Sequence, residues 1–157
     1  MNDMKKGFTL VEVLVAMALL MVLTVGLVGL TQLSVRASAV SRLRVGAMAI
    51  LSETMEATMA VRASNFGSLD ERVYHPEVAE GKWALVDGTE MVRGIERWVE
   101  ISKVQREISC GGERVCPIVE SGGVVDPVTF KAKAVVVWQE RGEDKREELE
   151  SLLTFWR

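Results

Sequence analysis

The sequence is poor in the side chains that most often carry catalysis or hold metals. Its 157 residues include one histidine, two cysteines and three prolines. The histidine, His75, has no clustered aspartate and serine with which to form a hydrolytic triad, and two cysteines cannot complete a zinc site. The net charge of -3 argues against nucleic acid as a default partner. These absences favour a structural or binding protein, so we predict no enzymatic activity.

Ligand clusters for other cofactors are missing as well. A calcium site needs clustered oxygen ligands, whereas the aspartates are scattered along the chain. The glycine pairs lack the Lys-Ser/Thr signature of a phosphate-binding loop. Glu53 and Glu56 are the only close carboxylate pair on the predicted amino-terminal helix, and no catalytic partner is visible beside them. We therefore expect no metal and no cofactor.

Proline is also absent from residues 8–62, which contain the longest apolar run of the chain. That run, from Val13 to Leu30, approaches the length of about 20 residues that a helix needs to cross a hydrocarbon core roughly 30 Å thick. The segment is predicted to lie in a membrane. Glu12 stands at its start, and because an unpaired charge there would cost several kcal/mol, this carboxylate is expected to have a partner.

The residues around Glu12 resemble a known processing signal. Residues 5–7 (KKG) followed by residues 8–12 (FTLVE) look like the class III signal sequence of type IV pilins and type II secretion pseudopilins. The resemblance implies that a prepilin peptidase cleaves after Gly7 and methylates the new amino terminus at Phe8. It also implies that Glu12 pairs with the amino terminus of a neighbouring subunit in a filament.

An ordinary signal anchor is the alternative interpretation of the amino end. No small-x-small cleavage site follows the apolar run, so the run is expected to stay in the mature protein. Gly26 and Gly29 interrupt the apolar run. They indicate either a point where the helix unwinds easily or a place where another helix approaches closely. The Lys and Arg residues on the two sides of the run leave its orientation ambiguous, and the resemblance implies an outward carboxyl end.

The helical pattern continues beyond the apolar run. Apolar and small residues recur at three- and four-residue steps: Val40, Leu43, Ala47, Ile50, Leu51, Thr54, Thr58 and Val61. We predict one long helix from Phe8 to Arg62 whose apolar stripe is covered by a small sheet. The predicted organisation is a leader at 1–7, a membrane or filament-core helix at 8–35, an amphipathic helix half at 36–63 and a sheet domain at 64–157.

The carboxyl half is predicted to form an antiparallel sheet of about four strands. A polar connection at 63–81, with His75 on the surface beside Pro76, leads to strands at 82–86, 95–105, 130–138 and 147–155, the last two joined by a charged turn at 140–145. In the third strand Phe130, Ala132, Ala134, Val136 and Trp138 share one face, which is expected to meet the helix. Residues 119–126 are predicted to form a loop. The fold class is α+β and resembles the type IV pilin fold.

Cys110 and Cys116 bracket a short, glycine-containing segment. If the domain lies outside the cytoplasm, a disulfide is permitted, and closing so short a loop contributes roughly 2 to 3 kcal/mol. A redox-active pair would more usually have two intervening residues instead of five. We expect Cys110 and Cys116 to be bridged.

The carboxyl-terminal hairpin and the segment at 51–57 resemble minor pilins of the PilV kind. The expected function is that of a type IV pilin-like subunit, a minor pilin, which is processed by prepilin peptidase, held in the inner membrane with its carboxyl-terminal domain periplasmic or extracellular, and assembled with other pilin subunits through its amino-terminal helix. A minor pseudopilin of a type II secretion system and a competence pilus subunit are the related alternatives. A bitopic anchor that presents a small binding or hydrolytic domain is the alternative from another class.

Overall fold

The computed structural model describes residues 9–109 and 116–155. These residues form two compact units, one ending at Leu43 and the other beginning at Arg44. The helix α1 spans Leu10–Ser64 without a break. The single long helix is therefore confirmed, because neither proline nor a turn sequence interrupts its backbone hydrogen bonds.

The second unit contains an antiparallel sheet. After a short 3₁₀ turn at Phe66–Ser68, the strands are β1 (Val73–Ala79), β2 (Lys82–Asp87), β3 (Glu90–Val92), β4 (Ile95–Arg106), β5 (Ile118–Val119), β6 (Val124–Glu140) and β7 (Glu143–Thr154). Their order is β2-β1-β4-β6-β7, and β3 and β5 each pair with β4. The long helix packed on an antiparallel sheet confirms the predicted α+β class and is consistent with a pilin-like fold.

The core lies between the carboxyl-terminal part of α1 and one face of the sheet. The sheet buries the predicted face of β6 from Phe130 to Trp138. The helix buries eight residues against it: Ala47, Ile50, Leu51, Thr54, Met55, Ala57, Thr58 and Val61. Two of the buried helix residues are polar. The hydroxyls of Thr54 and Thr58 each donate to the backbone carbonyl four residues earlier, both at 2.8 Å, so the helix itself satisfies them.

Polar contacts join α1 to the sheet at three levels. Arg44 forms a two-pronged ion pair with Glu140 at the end of β6. Arg97 of β4 binds Glu53 on the helix at 2.9 Å. Farther along, Arg62 donates to the carbonyl of Thr154 at 3.1 Å. The helix therefore runs from the Glu140 end of the sheet to the Thr154 end.

The Thr154 end contains an irregularity in the pairing of β4 with β6. Lys103 lies opposite Phe130, but Gln105 lies opposite Val125, so the four residues of β6 between these pairs face a single residue of β4 and form a bulge. Asp126 stabilises this bulge by accepting from the Val128 N–H at 2.9 Å and from Arg106 Nε at 2.6 Å.

Gly123 lies next to this bulge and approaches β4 closely. A Cβ at position 123 would overlap the backbone carbonyl of Arg106 and the side chain of Val119. Glycine is therefore required here because it has no Cβ.

Several predicted boundaries were wrong. The connection predicted for residues 63–81 contains strand β1, in which Tyr74 and Pro76 are buried and His75 is half-buried. Val124 and Val125, assigned to a loop, belong to β6, and the β6–β7 turn is only Arg141 and Gly142. The described residues form seven strands where about four were predicted, because β1 lies in the predicted connection and the short strands β3 and β5 pair with the two ends of β4.

Candidate functional site

The candidate site is the amino-terminal end of α1, where the structure describes Thr9 and the residues that follow. The Glu12 N–H donates to Thr9 Oγ1 at 3.4 Å, and the Thr9 N–H donates to Glu12 Oε2 at 3.5 Å. This reciprocal arrangement is a capping box, in which a threonine at the helix start and a glutamate three residues later satisfy each other's backbone donors. Both distances are long, so the bonds are weak.

Glu12 therefore has an intramolecular partner in addition to any partner from another chain. Its carboxylate lies in the first turn, where the positive end of the helix dipole stabilises a negative charge. A carboxylate offers about four lone-pair positions, so the bond to Thr9 leaves room for an approaching cation. The site can consequently bind an amino group without first losing its cap.

The surface that follows Glu12 is apolar on all sides. Large apolar side chains from Leu10 to Val35 are exposed around the whole helix, and the most apolar window of α1 is nowhere buried within the chain. By length and composition, α1 is able to cross a membrane. Such a surface needs lipid or other apolar helices around it.

Three of the predicted site residues lie outside the described part of the chain. Gly7 and Phe8, the predicted processing site, precede it, and Cys110 falls in the gap between residues 109 and 116. Cys116 is described, and its carbonyl accepts from Arg106 Nη1 at 2.7 Å. The processing site and the Cys110–Cys116 bridge thus stay predictions.

The sequence comparison bears on this same end of the chain. Residues 2–28 match the family model described as "Prokaryotic N-terminal methylation motif". The chain carries the prokaryotic N-terminal methylation motif. This match supports the predicted relationship to the type IV pilin and pseudopilin family, and it includes Gly7, Phe8 and Glu12. The searches of curated proteins and of solved structures give no match.

The methylation motif points to a structural subunit, and several charged groups of the sheet domain form ion pairs with one another or with the helix. No group of three or more His, Cys, Asp or Glu residues suited to a metal occurs in the described ranges. The hydrogen bonds from Lys133 and Trp98 lower the pKa of Glu100, and the bond from Arg44 lowers the pKa of Glu140. The largest contribution to each shift comes from an ion pair that joins two elements, β6 to β4 for Glu100 and α1 to β6 for Glu140.

Thr9 is the site residue that the sequence interpretation did not single out. A signal for it exists, because Thr9 and Glu12 have the spacing of a capping box directly before an apolar helix. The family resemblance implies an intermolecular partner for Glu12, and the local pattern in addition predicts Thr9 as its intramolecular partner.

Proposed function

We propose that this chain is a type IV pilin-like subunit, a minor pilin or the closely related minor pseudopilin of a type II secretion system. The observation that carries the proposal is the methylation motif at residues 2–28, which runs directly into a helix with an exposed apolar surface. Prepilin peptidase cleaves after Gly7 and methylates Phe8. The processed chain waits in the inner membrane with the sheet domain outside the cytoplasm, and then enters or primes a filament.

Assembly uses the two features of the amino-terminal end. The apolar surface between Leu10 and Val35 passes from lipid into a bundle of equivalent helices, so it never meets water. Glu12 binds the positively charged amino terminus of a neighbouring subunit, which supplies the partner that a carboxylate in an apolar bundle requires. The pairing also sets the axial register between neighbours, because a misplaced subunit would leave both charges unpaired.

Mass spectrometry of the membrane fraction tests the processing step. We expect an amino-terminal peptide that begins with methylated Phe8, and a mass that shifts on reduction if Cys110 and Cys116 are bridged. Replacing Gly7 by valine should leave the leader attached, because the branched side chain crowds the bond to be cut. Gly46→Ala is the matched control, since a methyl group there meets nothing within 4 Å. An unmodified Met1 terminus in cells with active peptidase would refute the proposal.

Two substitutions separate the charge of Glu12 from its capping role. Glu12→Gln keeps a carbonyl that can accept from the Thr9 N–H but removes the charge, whereas Thr9→Val removes the hydroxyl cap and keeps the charge. The pairing mechanism predicts that Glu12→Gln is processed normally yet enters filaments far less than Thr9→Val, as measured by immunoblotting of sheared filaments. Equal incorporation of Glu12→Gln and the unsubstituted chain would exclude the pairing.

A further inference from the structure

The charged residues of α1 leave a long gap between Glu12 and Arg36. Residues 13–35 carry no formal charge, and α1 runs through both charged positions without a break. A rise of about 1.5 Å per residue places the two positions about 36 Å apart along the helix axis. Both side chains are exposed. This part of α1 is therefore an uncharged stretch with a carboxylate at one end and a guanidinium at the other.

Polar groups inside the uncharged stretch place few demands on its surroundings. The hydroxyls of Thr24 and Thr31 donate to backbone carbonyls three and four residues earlier, at 2.8 and 2.7 Å. The helix itself thus satisfies these donors, as it does the backbone groups. The remaining polar side chains, Gln32 and Ser34, lie within about one turn of Arg36. Water is needed mainly at the two ends of the stretch.

The length of the uncharged stretch matches that of a bilayer. The hydrocarbon core is roughly 30 Å thick, and the bilayer measures about 40 to 45 Å with its headgroup regions. A centred helix places Glu12 and Arg36 about 3 Å outside the hydrocarbon on opposite sides. A tilt of about 20° shortens the span to about 34 Å, so both charges still reach the headgroup regions. One insertion depth therefore suits both charges.

Hydropathy alone does not define where the span ends on the side of Arg36. Residues 37–40 (ASAV) contain a single polar side chain, so an uncharged residue at position 36 would let the hydrocarbon extend over another turn. Arg36 has no ion-pair partner among the described residues. Its guanidinium can therefore bind a phosphate group, with which it forms two parallel hydrogen bonds.

Arg42 differs from Arg36 in its depth. It is exposed in the same way and lies about 9 Å farther along the helix axis. When Arg36 is about 3 Å outside the hydrocarbon, Arg42 is about 12 Å outside it, beyond a headgroup region about 5 to 8 Å thick. Arg36 therefore lies at the depth of the lipid phosphates, and Arg42 lies outside it.

We propose that Arg36 binds lipid phosphates in the outward leaflet and thereby sets the depth at which the stored subunit sits in the membrane. In the proposed function, on which this inference rests, residues 8–35 lie in the membrane with the carboxyl end outward. At this depth Glu12 lies in the opposite headgroup region, where water hydrates its carboxylate. An outward shift by one helical turn, about 5.4 Å, carries Glu12 into the hydrocarbon. The stored subunit is therefore retained until another subunit supplies a partner for Glu12.

Spin-label depth measurements test the role of Arg36. Cysteine replaces the exposed residue Ala16 or Val28, and the labelled chain, purified from the membrane fraction, is reconstituted in phosphatidylcholine vesicles. Collisions of the label with oxygen and with a water-soluble nickel complex report its depth. The chain without an added cysteine measures any labelling of Cys110 or Cys116.

Arg36→Gln should shift the helix toward the side of Glu12 by about 3 to 6 Å, because the hydrated carboxylate then has no opposing anchor. The label at position 28 moves toward the bilayer centre, and the label at position 16 moves toward the headgroups. Movement of both labels toward the centre would indicate a tilt and overturn the proposal. Unchanged depths of both labels would overturn it as well.

Arg42→Gln is the matched control, because it makes the same change in charge outside the headgroup region. Both labels should keep the depth that they have in the parent. An equal shift in Arg36→Gln and Arg42→Gln would show general electrostatic attraction and overturn the specific contact.

Vesicles of digalactosyldiacylglycerol with the same acyl chains separate phosphate binding from hydration, because the headgroup of this lipid has no phosphate. The parent and Arg36→Gln should have equal label depths in these vesicles. A difference that persists there would assign the effect to hydration of the charge and overturn the phosphate contact. Flotation is measured on each sample, since a chain that fails to float would refute the membrane-anchored subunit itself. A floating chain with unchanged label depths would refute only the role of Arg36.

Discussion

Arg97 is the side chain on which three elements converge. Its guanidinium binds Glu53 of α1 and Glu90 of β3, and it also donates to the carbonyl of Pro76 in β1 at 3.2 Å. The side chain is only 7% exposed, so its charge has lost most of its water and depends on these partners. Arg97 therefore links the helix to β1, β3 and its own strand β4.

Replacing Arg97 by methionine should destabilise the sheet domain by about 3 kcal/mol, because the Pro76 carbonyl loses its donor and the helix loses its ion pair to the sheet. The measurement is urea unfolding of the full-length chain in detergent, followed by tryptophan fluorescence. The tryptophans report on this domain, since all four lie beyond residue 80.

Arg72→Met is the control for that substitution. Arg72 pairs with Asp87 at 3.1 Å, but both side chains are more than half exposed. Exposed pairs contribute about 1 kcal/mol or less, so this variant should stay close to the parent. Equal losses in the two variants would show that Arg97 has no special role in joining the elements.

At the scale of elements, carboxylates stabilise the contacts of β6 with its neighbours. Glu140, at the end of β6, binds Arg44 of α1, and Glu100 of β4 binds Lys133 of β6 at 2.8 Å. The pKa of each glutamate is lowered, mainly by the hydrogen bond from its cation. For Asp126, burial raises the pKa, but the bonds from the Val128 N–H and from Arg106 outweigh it and the net pKa is lowered.

The sheet domain should therefore lose stability in acid. A carboxyl group with a lowered folded-state pKa stabilises the fold above its unfolded value, which is 4.5 for a glutamate, and this contribution disappears as the pH falls through the folded-state pKa. We expect an unfolding midpoint that changes little from neutral pH to about pH 5 and then falls steadily.

Glu140→Gln tests the assignment of this effect. The variant should be less stable than the parent at neutral pH, because Arg44 then loses its two-pronged ion pair, and its loss of stability on acidification should be smaller. Urea midpoints at several pH values give both quantities. An unchanged acid slope in Glu140→Gln would mean that the Arg44–Glu140 pair does not contribute to the pH dependence.

At the scale of the whole molecule, the two units differ in how much apolar surface they expose. The unit that begins at Arg44 buries its own core between helix and sheet, whereas the helix before Leu43 exposes its apolar side chains. Only the second unit contains the contacts that a soluble domain requires.

A chain that begins at Ser41 should consequently fold in water without detergent. Ser41 provides a suitable capping residue for the shortened helix, and Arg44 and the buried helix face are retained. Its urea midpoint should lie close to that of the full-length chain in detergent, and ultracentrifugation should show a monomer. Unfolding or aggregation of this chain would show that residues 9–40 contribute to the stability of the sheet domain.

Local patterns in the sequence were enough to predict α1, the buried face of β6 and the amino-terminal motif. Each of these depends on residues close together in the chain: uninterrupted helical spacing, strict alternation from Phe130 to Trp138, and the residues around Gly7 and Glu12. The capping box of Thr9 with Glu12 is equally local, and the sequence alone could have predicted it.

Only the tertiary structure identified β1 and the role of Arg97. Pro76 suggested a loop, yet β1 tolerates it beyond Tyr74, where β1 pairs with β2 alone and its other edge needs no N–H donor. In the sequence, nothing distinguishes Arg97 from the other charged residues. Its three partners are Glu53, Pro76 and Glu90. The sequence determined the local elements through short-range spacing, whereas pairing between distant residues decided which strands form and which charges are buried.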